Sequence, residues 1–194
     1  MLSAAVTVGL SALLLASCSH DGREMKPPTA DQTETIAIAT TIAESVAPVQ
    51  EFTIAAPWEE GGQLDSVFTC DGDKLSPSFD IAGLPEGTVT WGLSIVDQTA
   101  GDAVQWAAAN IDPAINHVDA GVVPAGAVQS LNRANKIGYA APCPKAGEPH
   151  TYVLTVYAVS QQLEVSAGMD AKTMLTSLEA GSVGITSISF SVTR

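Results

Sequence analysis

Val89-Thr90-Trp91-Gly92-Leu93-Ser94-Ile95-Val96 and Tyr152-Val153-Leu154-Thr155-Val156-Tyr157-Ala158-Val159 constrain this chain more than any other feature. Both runs are rich in β-branched and aromatic residues and carry neither Pro nor charge, so each reads as a strand. Shorter runs at Phe52 to Ala55, Trp106 to Ile111 and Ile185 to Val192 are separated by clusters of Gly, Pro, Asn and Asp, which predicts a β-rich domain from Glu51 onward. The first long run ends at Asp97 and the second follows His150, so polar residues stand at strand ends. One helix is expected, Asp170 to Ala180, with Asp170 as N-cap, Met174, Leu175 and Leu178 on one apolar face, and Gly181 as the C′ residue. It is expected to pack on a sheet. No repeat of about 20 to 50 residues is visible.

The N-terminus reads as an address. Ala4 to Leu15 is apolar or small throughout, too short to cross a ~30 Å hydrocarbon core but suited to the h-region of an export signal. Leu15-Ala16-Ser17-Cys18 then resembles the lipobox of bacterial lipoproteins, whose Cys is acylated with diacylglycerol and becomes the mature N-terminus. The resemblance implies a signal peptide over residues 1–17 and a lipid on Cys18. It also implies a domain anchored by that lipid on the extracytoplasmic side of a bacterial cell envelope. No Lys or Arg precedes Arg23, so the charged start of such a signal is missing; a start codon placed too far downstream accounts for this. The alternative, a buried helix with an incidental Cys, needs an amphipathic period that these residues lack.

Residues 18–50 read as the lipidated N-terminus and a flexible tether. Pro27-Pro28 and a run of Thr, Ala and Glu, without aromatic residues or sustained alternation, bury too little apolar surface to offset ordering entropy. Ile36 to Ala43 either becomes a short helix or strand on meeting a partner or remains part of a solvated spacer. Residues 51–194 then form one domain of ordinary size. With 8 Lys and Arg against 21 Asp and Glu, a formal charge of −13 and no basic run, the chain is a poor partner for nucleic acid. Membrane attachment has to come from acyl chains, at ~0.8 kcal/mol per buried CH₂.

No catalytic motif stands out. There is no G-x-S-x-G elbow, H-E-x-x-H, P-loop or G-x-G-x-x-G after a strand, so neither enzymatic activity nor a cofactor is expected. Glu59-Glu60 and Asp71/Asp73 lie in Gly-flanked segments and read as solvated charge. His117 with Asp112 and Asp119 suggests a metal only weakly, because no second His or Cys stands at ligand spacing, and no metal is expected. His20 and His117 are expected to be exposed, in the tether and a loop. Trp58, Trp91 and Trp106 read as packing residues rather than a stacking platform, since no basic residues interleave them.

Phe68-Thr69-Cys70-Asp71-Gly72 with Ser76-Pro77, Asn110-Ile111, Asn132, Gly138-Tyr139, Pro142-Cys143-Pro144, Gly147, Pro149-His150-Thr151-Tyr152 and Tyr157-Ala158 follow one another in an order that resembles the phosphatidylethanolamine-binding protein (PEBP) family. The likeness covers about residues 51–194 and is strongest to the bacterial YbhB/YbcL, or Raf-kinase-inhibitor-like, branch. It implies a mainly β, sandwich-like fold: a large antiparallel sheet, a smaller sheet and a few peripheral helices. It further implies a small anion pocket at one end of the sheet. Carried over position by position, its ligand-binding residues fall on Asp97, Gln105, Trp106, Ala141, Pro142, His150 and Tyr152, with Ala100 and Pro144 also matching.

Several positions depart from the family pattern. Gln98, Thr99 and Gly101 stand where the family's Asp-Pro-Asp-Ala-Pro loop has Pro, Asp and Pro, which predicts a looser loop. Gln105 replaces a His that would turn cationic below pH ~6.5; a neutral amide gives roughly half the strength of a charge-assisted bond, which predicts weaker phosphate binding. Ala141 replaces a Gly, and its methyl is expected to narrow the anion seat. The resemblance also brings Cys70 and Cys143 to one end of the sheet. With Cys18 acylated they are the remaining thiols of an exported domain, either joined as a disulfide or packed in reduced form.

Two readings of function stay open. In one, an envelope module binds a small anionic or phospho-headgroup ligand between Asp97, His150 and Tyr152. In the other, the pocket is vestigial and the acidic surface engages a protein, by analogy with kinase- and protease-inhibitor members. Asp97 can be a ligand contact or an Asx cap of its turn, and His150 a ligand contact or a hydrogen-bonded core histidine.

Overall fold

The computed structural model describes residues 50–194. The expected signal peptide, the Cys18 lipidation site, His20 and the tether lie outside the described residues.

Among the described residues, nine strands and one α-helix follow in chain order: β1 (Thr53–Ala55), β2 (Gly62–Gln63), β3 (Phe79–Ala82), β4 (Thr90–Asp97), β5 (Ala103–Ile111), β6 (His117–Val118), β7 (Val128–Gln129), β8 (His150–Val159), α1 (Ala171–Gly181) and β9 (Ser182–Val192), with a 3-10 turn at Ser66–Phe68. A three-stranded sheet has the order β1-β3-β6 and a six-stranded sheet the order β2-β9-β8-β4-β5-β7. All pairings are antiparallel except that of β2 with β9, so the large sheet is mixed at one edge.

The two long runs are the centre of the large sheet, with β4 hydrogen-bonded between β5 and β8. One face packs on the small sheet: Trp91, Leu93, Ile95, Trp106, Tyr152, Leu154 and Phe190 meet Phe79, Ile81 and Val118 in one buried cluster. The other face carries Val104, Ala107, Ala109, Tyr157 and Val159 and is covered by Met174 and Leu178 of α1. Burial on both faces is why these strands are apolar at nearly every position instead of alternating. Trp58 and Trp91 are core residues, as their packing reading expects.

Asp170 caps α1 by accepting the Thr173 N–H at 3.0 Å. Gly181 is not a left-handed C′ residue; it is the last residue of the helix, and Ser182 is its C-cap. A Cβ at Gly181 would lie 2.9 Å from Val159 Cγ1 and 3.2 Å from Leu163 Cδ2, so the glycine is there to let the helix end approach β8.

Candidate functional site

Asp97 closes β4, and the strand register sets it opposite Tyr152 on β8 and Ala103 on β5. His150 stands two residues before Tyr152 on the same strand face, so it meets Asp97 diagonally: Nδ1 to Asp97 Oδ2 is 2.9 Å. The other carboxylate oxygen accepts the backbone N–H groups of Thr99 and Ala100 at 3.1 and 3.0 Å. Asp97 thus takes the cap role with one oxygen, while the other is committed to His150. A carboxylate only accepts, so it holds the ring proton on Nδ1 and leaves Nε2 an acceptor in the neutral ring and a donor in the imidazolium.

The loop after Asp97 is better tied than the loss of two prolines suggests. Besides the Asp97 cap, the Thr151 N–H donates to Thr99 Oγ1 at 2.9 Å and the Gln98 N–H to the Thr151 carbonyl at 2.9 Å. The Thr that replaces an acidic residue supplies a latch across to β8. Gly101, at φ +64°, takes the left-handed turn that the loop needs.

Gln105 owes its place to a β-bulge. Val96 pairs with Val104 and Ile95 with Trp106, so Gln105 is an extra residue without a partner on β4. Its side chain is fully buried, and neither Oε1 nor Nε2 has a hydrogen-bond partner among the described residues. The Tyr152 hydroxyl is likewise buried without a partner. Burial first, and the Asp97 carboxylate second, raise the Tyr152 pKa well above the usual tyrosine range, while the charge of Arg133 acts the other way. The phenol therefore stays protonated and remains a donor. An unmade buried hydrogen bond costs about 1–3 kcal/mol; the fourth such atom among the described residues is the Trp58 indole nitrogen.

The other positions implied by the resemblance form the surroundings. Trp106 is a core residue: its indole N–H donates to Gln129 Oε1 at 2.9 Å and its ring meets Tyr139 edge-on. Gln129 takes up the one polar atom that could have faced a ligand, so Trp106 is a packing residue. Ala141 and Pro142 contribute backbone: the preceding Ala140 N–H donates to the Gln105 carbonyl at 2.8 Å, and the Pro142 carbonyl accepts the Cys70 N–H at 3.0 Å. The same segment is fastened by a Cys70–Cys143 disulfide with Cα atoms 5.3 Å apart. Asp97, Gln105 and Tyr152 have no exposed surface, whereas the His150 side chain is 16% exposed, so His150 is the solvent-facing member of the cluster.

Some charges read as solvated are engaged. Asp71 forms a two-pronged ion pair with Arg194, at 2.8 Å to Nε and 2.7 Å to Nη2, and this hydrogen bonding holds its carboxyl below the usual range. Glu60 accepts from the Ser189 N–H and hydroxyl. His117 lies on β6 rather than in a loop, and its acidic neighbours are Asp80 at 2.7 Å and Asp119 at 3.2 Å. Asp112 instead caps Ala114. The two carboxylates facing both ring nitrogens raise the His117 pKa. Among the described residues no group of three or more His, Cys, Asp or Glu is arranged to hold a metal. Sequence reading passed over Arg133; its one signal was its position next to Asn132 in the strongest matching block.

The family model described as phosphatidylethanolamine-binding protein matches residues 55–191. A UPF0098 protein of Methanothermobacter thermautotrophicus is 31% identical over 134 residues, spanning 66% of this chain and 88% of that protein. The UPF0098 protein YbcL of Escherichia coli is 33% identical over 108 residues, 50% of this chain and 59% of YbcL. The YbcL crystal structure, described as a new member of the mammalian PEBP family, superposes with TM-score 0.69 at 24% identity, covering 74% of this chain and 99% of the other. CT736 of Chlamydia trachomatis, a PEBP homologue, superposes with TM-score 0.67 at 22% identity, covering 74% and 97%.

Proposed function

Because this chain belongs to the phosphatidylethanolamine-binding protein family, we propose that its domain is a ligand-binding module of a bacterial cell envelope. It is held at the membrane by lipid on Cys18 and takes a small anionic or phospho-headgroup ligand at Asp97, His150 and Tyr152. The observation that carries this reading is the cluster of orphaned buried atoms, the Gln105 amide and the Tyr152 hydroxyl, beside a largely enclosed His150 that keeps some solvent-facing surface. Two of the three orphaned atoms can donate to an anion, and His150 adds a third donor once protonated. Asp97 orients that donor rather than activating a nucleophile, so the module binds and does not catalyse. The complete burial of Asp97, Gln105 and Tyr152 favours the second reading, a protein-interaction or inhibitor module with a vestigial pocket. Titration decides between them.

Phosphate and phosphoethanolamine should bind the wild-type domain. His150→Ala should weaken binding by roughly one to two decades, since a hydrogen bond to a charged group is worth about 1.5–3 kcal/mol. Gln105→His should strengthen phosphate binding as pH falls through ~6.5, because it adds a potential cation. Calorimetric titration of wild type and both variants checks this. Unchanged affinities together with a sharp fall in the His150→Ala melting temperature would make His150 structural and favour the vestigial pocket. For the anchor, the intact mass of membrane-extracted protein should show a diacylglyceryl adduct on Cys18 that Cys18→Ala removes. An envelope protein that retains Met1 and lacks the adduct would refute it.

A further inference from the structure

An anion approaching this cluster meets the buried Asp97 carboxylate, and the nearest ionisable donor, His150, is committed to that same carboxylate through Nδ1. Gln105 and Tyr152 are neutral donors. With His150 neutral, the cluster therefore carries a negative charge, and like charges at such distances repel. A working anion site needs a fixed cation of its own.

We propose that Arg133 is that cation, the charged contact which selects a phosphate-type or carboxylate oxyanion where position 105 carries no ionisable side chain. The proposal rests on the binding function put forward above. Three observations carry it. The Arg133 N–H donates to the Val104 carbonyl at 2.8 Å, which roots the residue beside the Gln105 bulge. The preceding Asn132 fixes that root: Oδ1 accepts the N–H groups of Ala134 and Lys136 at 2.9 and 3.2 Å, and Nδ2 donates to the Gly138 carbonyl at 2.8 Å. Arg133 is exposed and forms no ion pair with a described carboxylate, whereas Arg194 is committed to Asp71.

Arg133 also lines a cavity of about 350 Å³ that opens beside the loop following Asp97, with Gly101, Asp102, Val104, Asp170 and Lys172. The positive charge of Arg133 works to lower the Tyr152 pKa, against burial and the Asp97 carboxylate, which raise it. Of the acidic groups in that cavity, Asp170 is engaged by Thr173 as the helix cap, which leaves Asp102 as the competitor for the guanidinium. A guanidinium presents a planar fork that matches two oxygens of one anion, and it stays charged where a histidine does not.

The test is calorimetric titration of the full-length chain with inorganic phosphate and with phosphoethanolamine, at about pH 5.5 and about pH 8, on either side of ordinary histidine titration. Arg133→Ala should weaken binding at the higher pH roughly tenfold or more, as expected for a hydrogen bond to a charged group, with an unchanged melting temperature. Arg133→Lys should recover part of the loss, and Asp102→Asn should tighten binding in the wild-type background. Tighter binding of phosphoethanolamine than of phosphate assigns the oxyanion to a headgroup; equal affinities assign it to free phosphate. Wild type that binds at both pH values with Arg133→Ala indistinguishable from it overturns this inference alone. Wild type that binds neither ligand overturns the binding function itself and this inference with it.

Discussion

Replacing Asp97 by Ala should lower the stability of the domain by about 3 kcal/mol, at the upper end of what a hydrogen bond to a charged group contributes. The carboxylate is fully buried and is the acceptor for three donors, the His150 ring and the Thr99 and Ala100 amides. Truncation leaves all three without it. Thr99 and Ala100 are exposed, so water recovers their bonds. The His150 side chain is largely enclosed, so its Nδ1–H bears most of the loss. For a domain of this size, that change should shift the thermal midpoint by roughly 6–12 °C. Asp97→Asn separates the two roles. Its carbonyl still caps the turn, but its amide donates to His150 Nδ1 and moves the ring proton to Nε2, so stability should fall by only about 1 kcal/mol. The neutral His150 ring then presents an Nε2–H donor to phosphate. An Asp97→Ala midpoint equal to wild type would remove the carboxylate from its place as common acceptor.

The disulfide should have an effect of similar size by a different route. Cys70 and Cys143 are separated by 73 residues; in the chain-entropy account, closing a loop of that length stabilises the folded state by about 4 kcal/mol, through restriction of the unfolded chain. The double variant Cys70→Ser, Cys143→Ser should therefore melt roughly 8–16 °C lower than the oxidised protein. Native contacts soften the structural consequence. The Cys70 N–H still donates to the Pro142 carbonyl, and Arg194 still pairs with Asp71. That ion pair is solvent-exposed, so it contributes little beside the covalent link. Urea melts of oxidised, reduced and double-variant protein check the prediction. Coincident transitions for all three would show that the bond restricts nothing the unfolded chain does not already lack.

The two effects bear on the site differently. Losing the disulfide frees the segment that runs past the Gln105 carbonyl through Ala140, so reduced protein should keep the Asp97–His150 pair while loosening that segment. Losing Asp97 undoes the pair and leaves the segment fastened.

Much of this was legible in the residues themselves, because it depends on neighbours along the chain. The five β-prone runs are strands since alternation and β-branching act within a few residues. α1 begins after Asp170 since a cap is a contact across three positions. The ordered motifs from Phe68 to Ala158 were enough to point to the family. What tertiary structure alone decided lies in contacts between distant strands. Asp97 and His150 are 53 residues apart, and only the β4–β8 register brings one carboxylate oxygen to the ring while the other caps the turn. Gln105 is buried and unpartnered because of a bulge, which is a mismatch between two strands and has no signature in either. Gly181 read as a helix stop, yet it is small because Val159 and Leu163 crowd it. Asp71 reads as solvated and is exposed, but its pairing with Arg194, 123 residues away, has no local signal. Local preference is set by dihedral sterics and short-range hydrogen bonds. The charge, burial and partner of a site residue are set by which strands pair and at what register, and sequence distance carries no record of that.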